Sequence, residues 1–358
     1  MTSHSTSSTA VAPAQDVDRE LRVGLVGLGA ASRVFHIPLI AATPGLRIAA
    51  VASSQPAEAA RWLPTATLYR DAQDLCADAS LDLVVIATPP DTHADLATAA
   101  LEAGHHVVVE KPFTLDAAEA RDLARLAQRQ QRWVTVFQNR RYDSCFRTVR
   151  REIDQGTIGR VTHFESHFDR YRPEVRIRWK EAAGPAGGVW SDLGPHLVDQ
   201  ALLLFGKPEA VTATLSRHRD DAMADDWAHV VLHYPGLEVI LHASLLVASG
   251  SPRFIAHGTA GSLLKRHLDV QEAQSLAGLP PSDPNFGVDP DPLIRWTADG
   301  AESVHAAERG CQQRFYAEVT AALRGTADTP VTLAEALATM EVLDAARRSV
   351  RERRSVSV

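Results

Sequence analysis

The sequence predicts an α/β protein. An N-terminal doubly wound parallel sheet precedes an α+β domain built on a large, mostly antiparallel open sheet. Three observations predict it. A glycine turn, Gly27-Leu28-Gly29, follows the first apolar strand. Apolar strands then alternate with helical segments as far as about Asn139. Past that point the strands crowd together, and several alternate in polarity. Strands separated by helices make βαβ units and a parallel sheet. Strands joined by short turns make an antiparallel sheet, open on at least one face.

Residues 1–20 are rich in Ser, Thr, Ala and Pro and read as a disordered extension. They lack the basic start and apolar run of a secretory signal. From Leu21, "LRVGLVGLG" is a strand ending in glycines, and "ASRVFHIPLIAAT" has helical spacing. "LRIAAVASS" is a second strand, followed by helix-like "PAEAARWL". "LDLVVIATPP" is the continuous apolar strand that parallel sheets use. "THADLATAALEAG" is a helix stopped by Gly104. "HHVVVEKP" is a strand, "LDAAEARDLARLAQRQQ" an amphipathic helix with Asp116 near its start, and "WVTVFQN" a strand. In the second half "RVTHFESHFD", "AVTATLSRH", "WAHVVLHYP", "LEVILHASLLV" and "RFIAHGTAG" are strands, with a turn at Pro235-Gly236. "SDPNFGVDPDPL" is a loop. Helices over 312–323 and 333–351 close the chain. The expected division is a dinucleotide-binding domain over 21–140 and a substrate and oligomerisation domain over 141–358, near the ~150 residues typical of a domain.

Composition narrows the function. Of the 358 residues, 45% are hydrophobic and 23% charged, which is ordinary globular content. The net charge of −7 disfavours a nucleic-acid or anionic-membrane partner. Arginine-rich "NRRYDSCFRTVRR" and "DRYRPEVRIRWK" do not reverse this, because acids intervene. Arg147, Arg150 and Arg151 read as a solvated helix face. No apolar run reaches the ~18 residues of a membrane span. Three isolated cysteines, Cys76, Cys145 and Cys311, argue against a disulfide framework or a metal site and fit a reducing, cytoplasmic setting.

The turn after the first strand is the first chemical signal. Gly27 and Gly29 supply a tight turn and close backbone approach to a pyrophosphate. Ala30 follows, and Ser32 takes the third small position. The helix that begins there aims N–H groups at phosphates. The alternative is a plain strand–helix turn of another α/β fold. At the end of the second strand stand Ser53 and Ser54, where NAD binders usually carry Asp or Glu. No carboxylate there repels a 2′-phosphate, and Arg33 or Arg61 could add charge, so NADP is expected. The alternative is that both serines cap the next helix, which begins at Pro56.

The second signal is "EKP". Pro112 ends strand pairing and holds Lys111 at a strand's C-terminal end, where open α/β sheets bind ligands. The third is "GGVWSDLGPHLVDQALLLFG". Gly187-Gly188 permit close approach, Asp192 reads as an N-cap, and Pro195 fits a first turn. Asp192 and His196, four apart on a helix, share a face. Alcohol oxidation by a nicotinamide needs a proton acceptor, which histidine supplies near neutral pH. A lysine stabilises alkoxide, and a carboxylate orients the imidazole or the substrate. Asp199 either orients His196 or is a surface or interface acid. Taken alone, Asp192 is a cap and His196 a core or interface histidine.

Together "VGLGAAS", "EKP" and "GGVWSDLGPHLVDQAL" resemble the Gfo/Idh/MocA oxidoreductases, from Leu21 to about Val350. The resemblance implies catalysis by Lys111, Asp192 and His196, with Ala186 departing from the family's glycine triplet. It implies a dimer or tetramer formed through the open sheet. Thr88, Pro89 and His93 are expected on the nicotinamide side, with Glu110 and Asn139 also at the cofactor. Tyr171, Arg172 and Trp179 are expected to line the substrate pocket, with domain-interface ion pairing as the alternative. "VVVEKPFT" and "GGVWSDLGPHLVDQALLLFG" also look similar to NADP-dependent scyllo-inositol dehydrogenases, a resemblance that implies oxidation of a cyclic polyol. A ligand-sensing regulator, or an enzyme recycling a tightly held nicotinamide, are the rivals.

Overall fold

The computed structural model describes residues 19–358, so most of the expected N-terminal extension lies outside the described residues. The first six strands are β1 (Leu21–Val26), β2 (Leu46–Ala52), β3 (Thr67–Tyr69), β4 (Leu83–Ile86), β5 (His106–Val109) and β6 (Val134–Val136). They form one all-parallel sheet in the order β3-β2-β1-β4-β5-β6. Its central strands are buried on both faces. Val107, Val108 and Val109 have no exposure at all, because helices cover them from two sides. The strand order reverses between β1 and β4. That switch point opens a crevice beyond the strands' carboxyl ends.

The connecting helices are α1 (Ile37–Ala41), α2 (Pro56–Trp62), α3 (Ala72–Cys76), α4 (His93–Glu102) and α5 (Ala117–Arg129). The expected cap of α5 is present: Asp116 Oδ1 accepts from the N–H groups of Ala118 and Glu119 at 2.9 and 3.0 Å. The helix after the glycine turn differs from a regular one. A π-helical segment, Ser32–His36, runs directly into α1. Pro38 has no N–H to return to the preceding turn, and the wider winding absorbs the missing bond.

The second sheet has nine strands: β7 (Val161–Asp169), β8 (Ala210–Ser216), β9 (Trp227–Tyr234), β10 (Leu237–Ser244), β11 (Phe254–Gly258), β12 (Gly261–Lys265), β13 (Leu293–Thr297), β14 (Glu302–His305) and β15 (Val356–Ser357). β7 and β10 pair in parallel; the other neighbours are antiparallel. The Pro235-Gly236 turn joins β9 to β10 as expected, with Gly236 at φ 70°. The remaining helices are α6 (Ser144–Asp154), α7 (Val189–Phe205), α8 (Gln271–Leu276), α9 (Gln313–Leu323) and α10 (Leu333–Glu352). A capping box at Thr332 and Glu335 starts α10. Strands β12, β13 and β14 carry weak alternation, and the sequence pattern passes over them. The last helix ends close to its expected limit, and after Arg353 the chain turns back and adds β15 beside β8.

The last two helices return to the first sheet's layer. Ala117 N–H donates to Asp344 Oδ2 at 2.8 Å, and Tyr316 lies 2.6 Å from His36 Nδ1. The two sheets are therefore tied together on either side of the crevice. The basic face of α6 is less solvated than expected. Arg147 reaches Glu308 at 3.5 Å, and Arg151 pairs with the same carboxylate group.

Candidate active site

A cavity of ≈ 510 Å³ opens at the switch point and runs between the two sheets. Its floor is the glycine turn. Gly27 has φ +93°, and a Cβ there would meet the Ala87 carbonyl oxygen at 2.7 Å. Only glycine fits this bend. A Cβ on Gly29 would meet nothing within 4 Å, because that position faces the open cavity. Ser32 lies behind the turn, with its Oγ donating to the Gly27 carbonyl at 2.8 Å. These residues fit a dinucleotide pyrophosphate: the backbone is bare, the turn is braced from behind, and space lies in front.

The "EKP" segment splits its two charges between the layers. Glu110 turns inward: His36 Nε2 lies 3.1 Å from Oε1, and Oε2 accepts the Lys111 N–H at 2.9 Å. Burial opposes its ionisation, but His36 and Lys111 hold its carboxyl below the usual range. Lys111 reaches the other way. Its Nζ donates to Asp192 Oδ1 and to the Asp192 carbonyl, both at 2.8 Å. Lys180 Nζ donates to the same Oδ1 at 2.6 Å. Two ammonium groups thus share one carboxylate oxygen on the cavity wall. Burial alone would raise the Asp192 pKa, yet the two lysines hold it well below the carboxylate range. Burial and the charge of Lys111 hold the Lys180 ammonium below its usual pKa.

His196 lines the same cavity at 5% exposure. Burial, Lys111 and Arg140 push its pKa well below 6.5, so it is neutral at pH 7. Its Nδ1 has no hydrogen-bond partner. Asp192, occupied by the lysines, does not orient the ring through that nitrogen. Nor does Asp199, which pairs with Arg141 at 2.7 Å as a buried ion pair. The expectation that Asp199 orients His196 or lies at the surface is corrected: it is a buried acid, paired across the fold with Arg141.

The helix carrying Asp192 and His196 starts earlier than its sequence suggests. Gly188, at φ +96°, is the N-cap residue of α7, and the cap comes from a distant loop. Asp225 accepts from the Val189 N–H through its carbonyl at 2.7 Å and from the Trp190 N–H through Oδ2 at 2.8 Å. Asp192 is therefore a first-turn residue, free to face the cavity, and Pro195 lies inside the helix. A Cβ on Gly188 would sit 2.1 Å from Asp225 Oδ1, and one on Gly187 1.9 Å from the Ala182 carbonyl oxygen. Both glycines are required by close approach, as their spacing suggests.

Of the other sequence-derived candidates, Ala30, Thr88, Pro89, Asn139, Arg172 and Trp179 line the cavity. His93 does not. It is fully buried, with its nitrogens 2.9 Å from the Pro112 carbonyl and 3.0 Å from the Thr88 carbonyl. It braces the ends of β4 and β5 behind the site. Tyr171 is 58% exposed and outside the lining; its backbone bridges Leu246, just past the end of β10. Ser53 and Ser54 stand at the end of β2, beyond the lining residues. Ser53 Oγ accepts the Gln55 N–H at 3.0 Å, while α2 itself starts from Gln55 without a side-chain cap. Three charged lining residues went unread in the sequence, Lys180, Arg140 and Glu272, and so did His36, which supports Glu110 from behind the lining. Lys180 sits in the quoted arginine-rich stretch, and its neighbour Trp179 was the available signal.

The fold and this site define a nicotinamide-type oxidoreductase: residues 21–138 match a family's NAD-binding Rossmann fold and residues 150–358 its C-terminal alpha/beta domain. The chain belongs to the Gfo/Idh/MocA oxidoreductase family. An Escherichia coli K12 protein described as uncharacterized oxidoreductase YdgJ is 44% identical over 338 residues, 93% of this chain and 97% of that protein. The Bacillus subtilis protein named scyllo-inositol 2-dehydrogenase (NADP(+)) IolW is 33% identical over 342 residues, 94% of this chain and 95% of that one. The crystal structure of an oxidoreductase candidate from Klebsiella pneumoniae superposes with a TM-score of 0.90 at 46% identity, covering 95% of each chain. Among the described residues no helix is long and apolar enough to cross a membrane.

Proposed function

We propose that this oxidoreductase uses NADP(H) to interconvert a secondary carbinol and its ketone on a cyclic polyol or sugar, with scyllo-inositol the first substrate to test. The arrangement that carries this reading is the pair of lysines on Asp192 beside a neutral His196, on the wall of a cavity that begins at Gly27. The name of the 33%-identical relative supports the substrate and cofactor. A bound nicotinamide supplies the hydride acceptor for oxidation and the donor for reduction. The chain's own residues do the rest. Lys111 lowers the energy of the developing alkoxide. His196 takes the hydroxyl proton. Asp192 fixes both ammonium groups at one point. Burial, Lys111 and Arg140, which keep His196 neutral, also disfavour its protonated form. The proposed division of labour places cofactor binding in residues 21–140 and substrate binding in 141–358. The open sheet would pair subunits into a homodimer or homotetramer in the cytoplasm.

NADP is favoured because no carboxylate stands at the end of β2, where Ser53 and Ser54 lie. Glu58, one turn further on, is paired with Arg33 at 3.4 Å and Arg61 at 3.9 Å. The expected KM for NADP is lower than that for NAD by at least about tenfold, the effect of ~1.4 kcal/mol. A lower KM for NAD would refute the assignment.

His196 predicts the pH profile of oxidation. Its neutral form is the active one, and its pKa is lowered, so the base form persists on acidification. The rate should be flat through pH 6.5 and fall only below it. A plot of kcat/KM against pH with an acid limb at or above 6.5 would contradict this role.

Arg170 and Arg172 favour a second reading of the substrate. Both line the cavity, and neither makes a salt bridge among the described residues. Unmatched guanidinium groups suit a carboxylate-bearing sugar. The deciding experiment is nicotinamide absorbance with inositols, aldoses, anhydro-ketoses and uronic acids. Turnover of scyllo-inositol with NADP supports the first reading, and turnover of a uronic acid alone the second. NADP binding without any turnover would favour a sensor. A nicotinamide that co-purifies and resists exchange would favour a recycling enzyme.

A further inference from the structure

The outer face of the second sheet carries a cluster that the cavity does not use. Successive strand residues point to opposite faces. Phe168 faces inward, its ring stacked 6.5 Å from His196. Its neighbours His167 and Asp169 therefore face outward, away from the cavity. Across the parallel β7–β10 pairing, His242 stands directly beside His167. The side chains are largely sheltered: Asp169 is 2% exposed, His167 16% and His242 14%.

Three features of this cluster are unusual. Neither oxygen of the buried Asp169 carboxylate has a hydrogen-bond partner, nor does His167 Nδ1. Both oxygens have imidazole neighbours, Oδ2 at 3.6 Å from His167 Nδ1 and Oδ1 at 3.6 Å from His242 Nε2. That is too long for a hydrogen bond. It is close to the ~3.3 Å that separates two ligands of one tetrahedral zinc ion with bonds of about 2.0 Å. Finally, His167 Nε2 lies 2.7 Å from Glu165 Oε2. A carboxylate on the far nitrogen fixes the ring and leaves Nδ1 with its lone pair, as carboxylate–histidine–metal triads do.

We propose that His167 Nδ1, one Asp169 oxygen and His242 Nε2 form a binding site for a borderline divalent transition cation, with Zn²⁺ the probe. One ligand atom from each residue lies within 4.8 Å of the other two. Two nitrogens and one oxygen suit zinc-like ions rather than Mg²⁺ or Ca²⁺, which take oxygen donors. Glu165 is the positioning residue. The ion would tie β7 to β10 on the face opposite His196.

The test uses the full chain, tag-free and treated with chelator. Titration with Zn²⁺ is expected to saturate at one equivalent per chain, and Co²⁺ to give the intense visible absorption of a low-symmetry site. Asp169→Asn and His242→Gln should each weaken binding at least tenfold, and Glu165→Gln by about 10–100-fold. His257→Gln, on the same face but outside the cluster, should bind as the parent does. Thermal melting of each variant without metal checks that it folds. The proposal is overturned if the parent binds neither ion. It is equally overturned if folded Asp169→Asn binds as tightly as the parent. In either case a protonated imidazole, not a metal, balances the Asp169 charge.

Discussion

Lys111→Met is expected to lower kcat by about 10²–10³-fold, the usual loss when one preorganised charge-stabilising donor is removed from a site. The reason is geometric. Lys111 Nζ is fixed by two bonds of 2.8 Å, to the side chain and carbonyl of Asp192. A cation held this way needs no reorganisation as the alkoxide forms. The fold should survive, since Lys180 still pairs with Asp192 at 2.6 Å. The decisive data are kcat and NADP affinity measured on a variant whose melting is unchanged. Turnover equal to the parent's would show that Lys111 only anchors α7 to the first sheet. Removing both lysines together is a different experiment. It leaves a buried carboxylate without a partner, and a loss of roughly 3–5 kcal/mol of stability is expected.

His196→Ala should reduce kcat by about 10²–10⁴-fold, the range for loss of a general base. NADP binding should change little, because the glycine turn follows β1 in the parallel sheet, whereas His196 stands on α7. Alanine also removes a buried ring packed near Phe168. His196→Gln therefore accompanies it, keeping volume and polarity without a titrating nitrogen. Both variants should be slow. A fast glutamine variant would show that the ring fills space and that some other group accepts the proton.

Much of this was legible in the sequence. The glycine turn, the continuous valines before "EKP", and the Asp192/His196 spacing are local patterns with local causes. Backbone freedom, strand burial and helical periodicity act within a few residues, so they can be read from order alone. The division into a parallel and an open sheet followed from how far apart the strands are spaced. What escaped depends on distant partners. The cap of α7 is Asp225, more than thirty residues on, so Asp192 was misread as the cap. Asp199 was matched by Arg141, fifty-eight positions away. His93 and Tyr171 looked like site residues, but one is turned into the core and the other lies exposed beside Leu246, outside the cavity.

The sequence by itself determined the fold class, the glycine turn after the first strand, and three of the residues that line the cavity wall: Lys111, Asp192 and His196. Only the tertiary structure decided how their charges are shared. It brought Lys180 to Asp192, set His36 beneath Glu110, and left Asp169 facing two imidazoles. The physical reason is that charge balance inside a protein is set by what lies within a few ångströms in space. Chain order fixes those neighbours only where one helix turn or one strand step connects them.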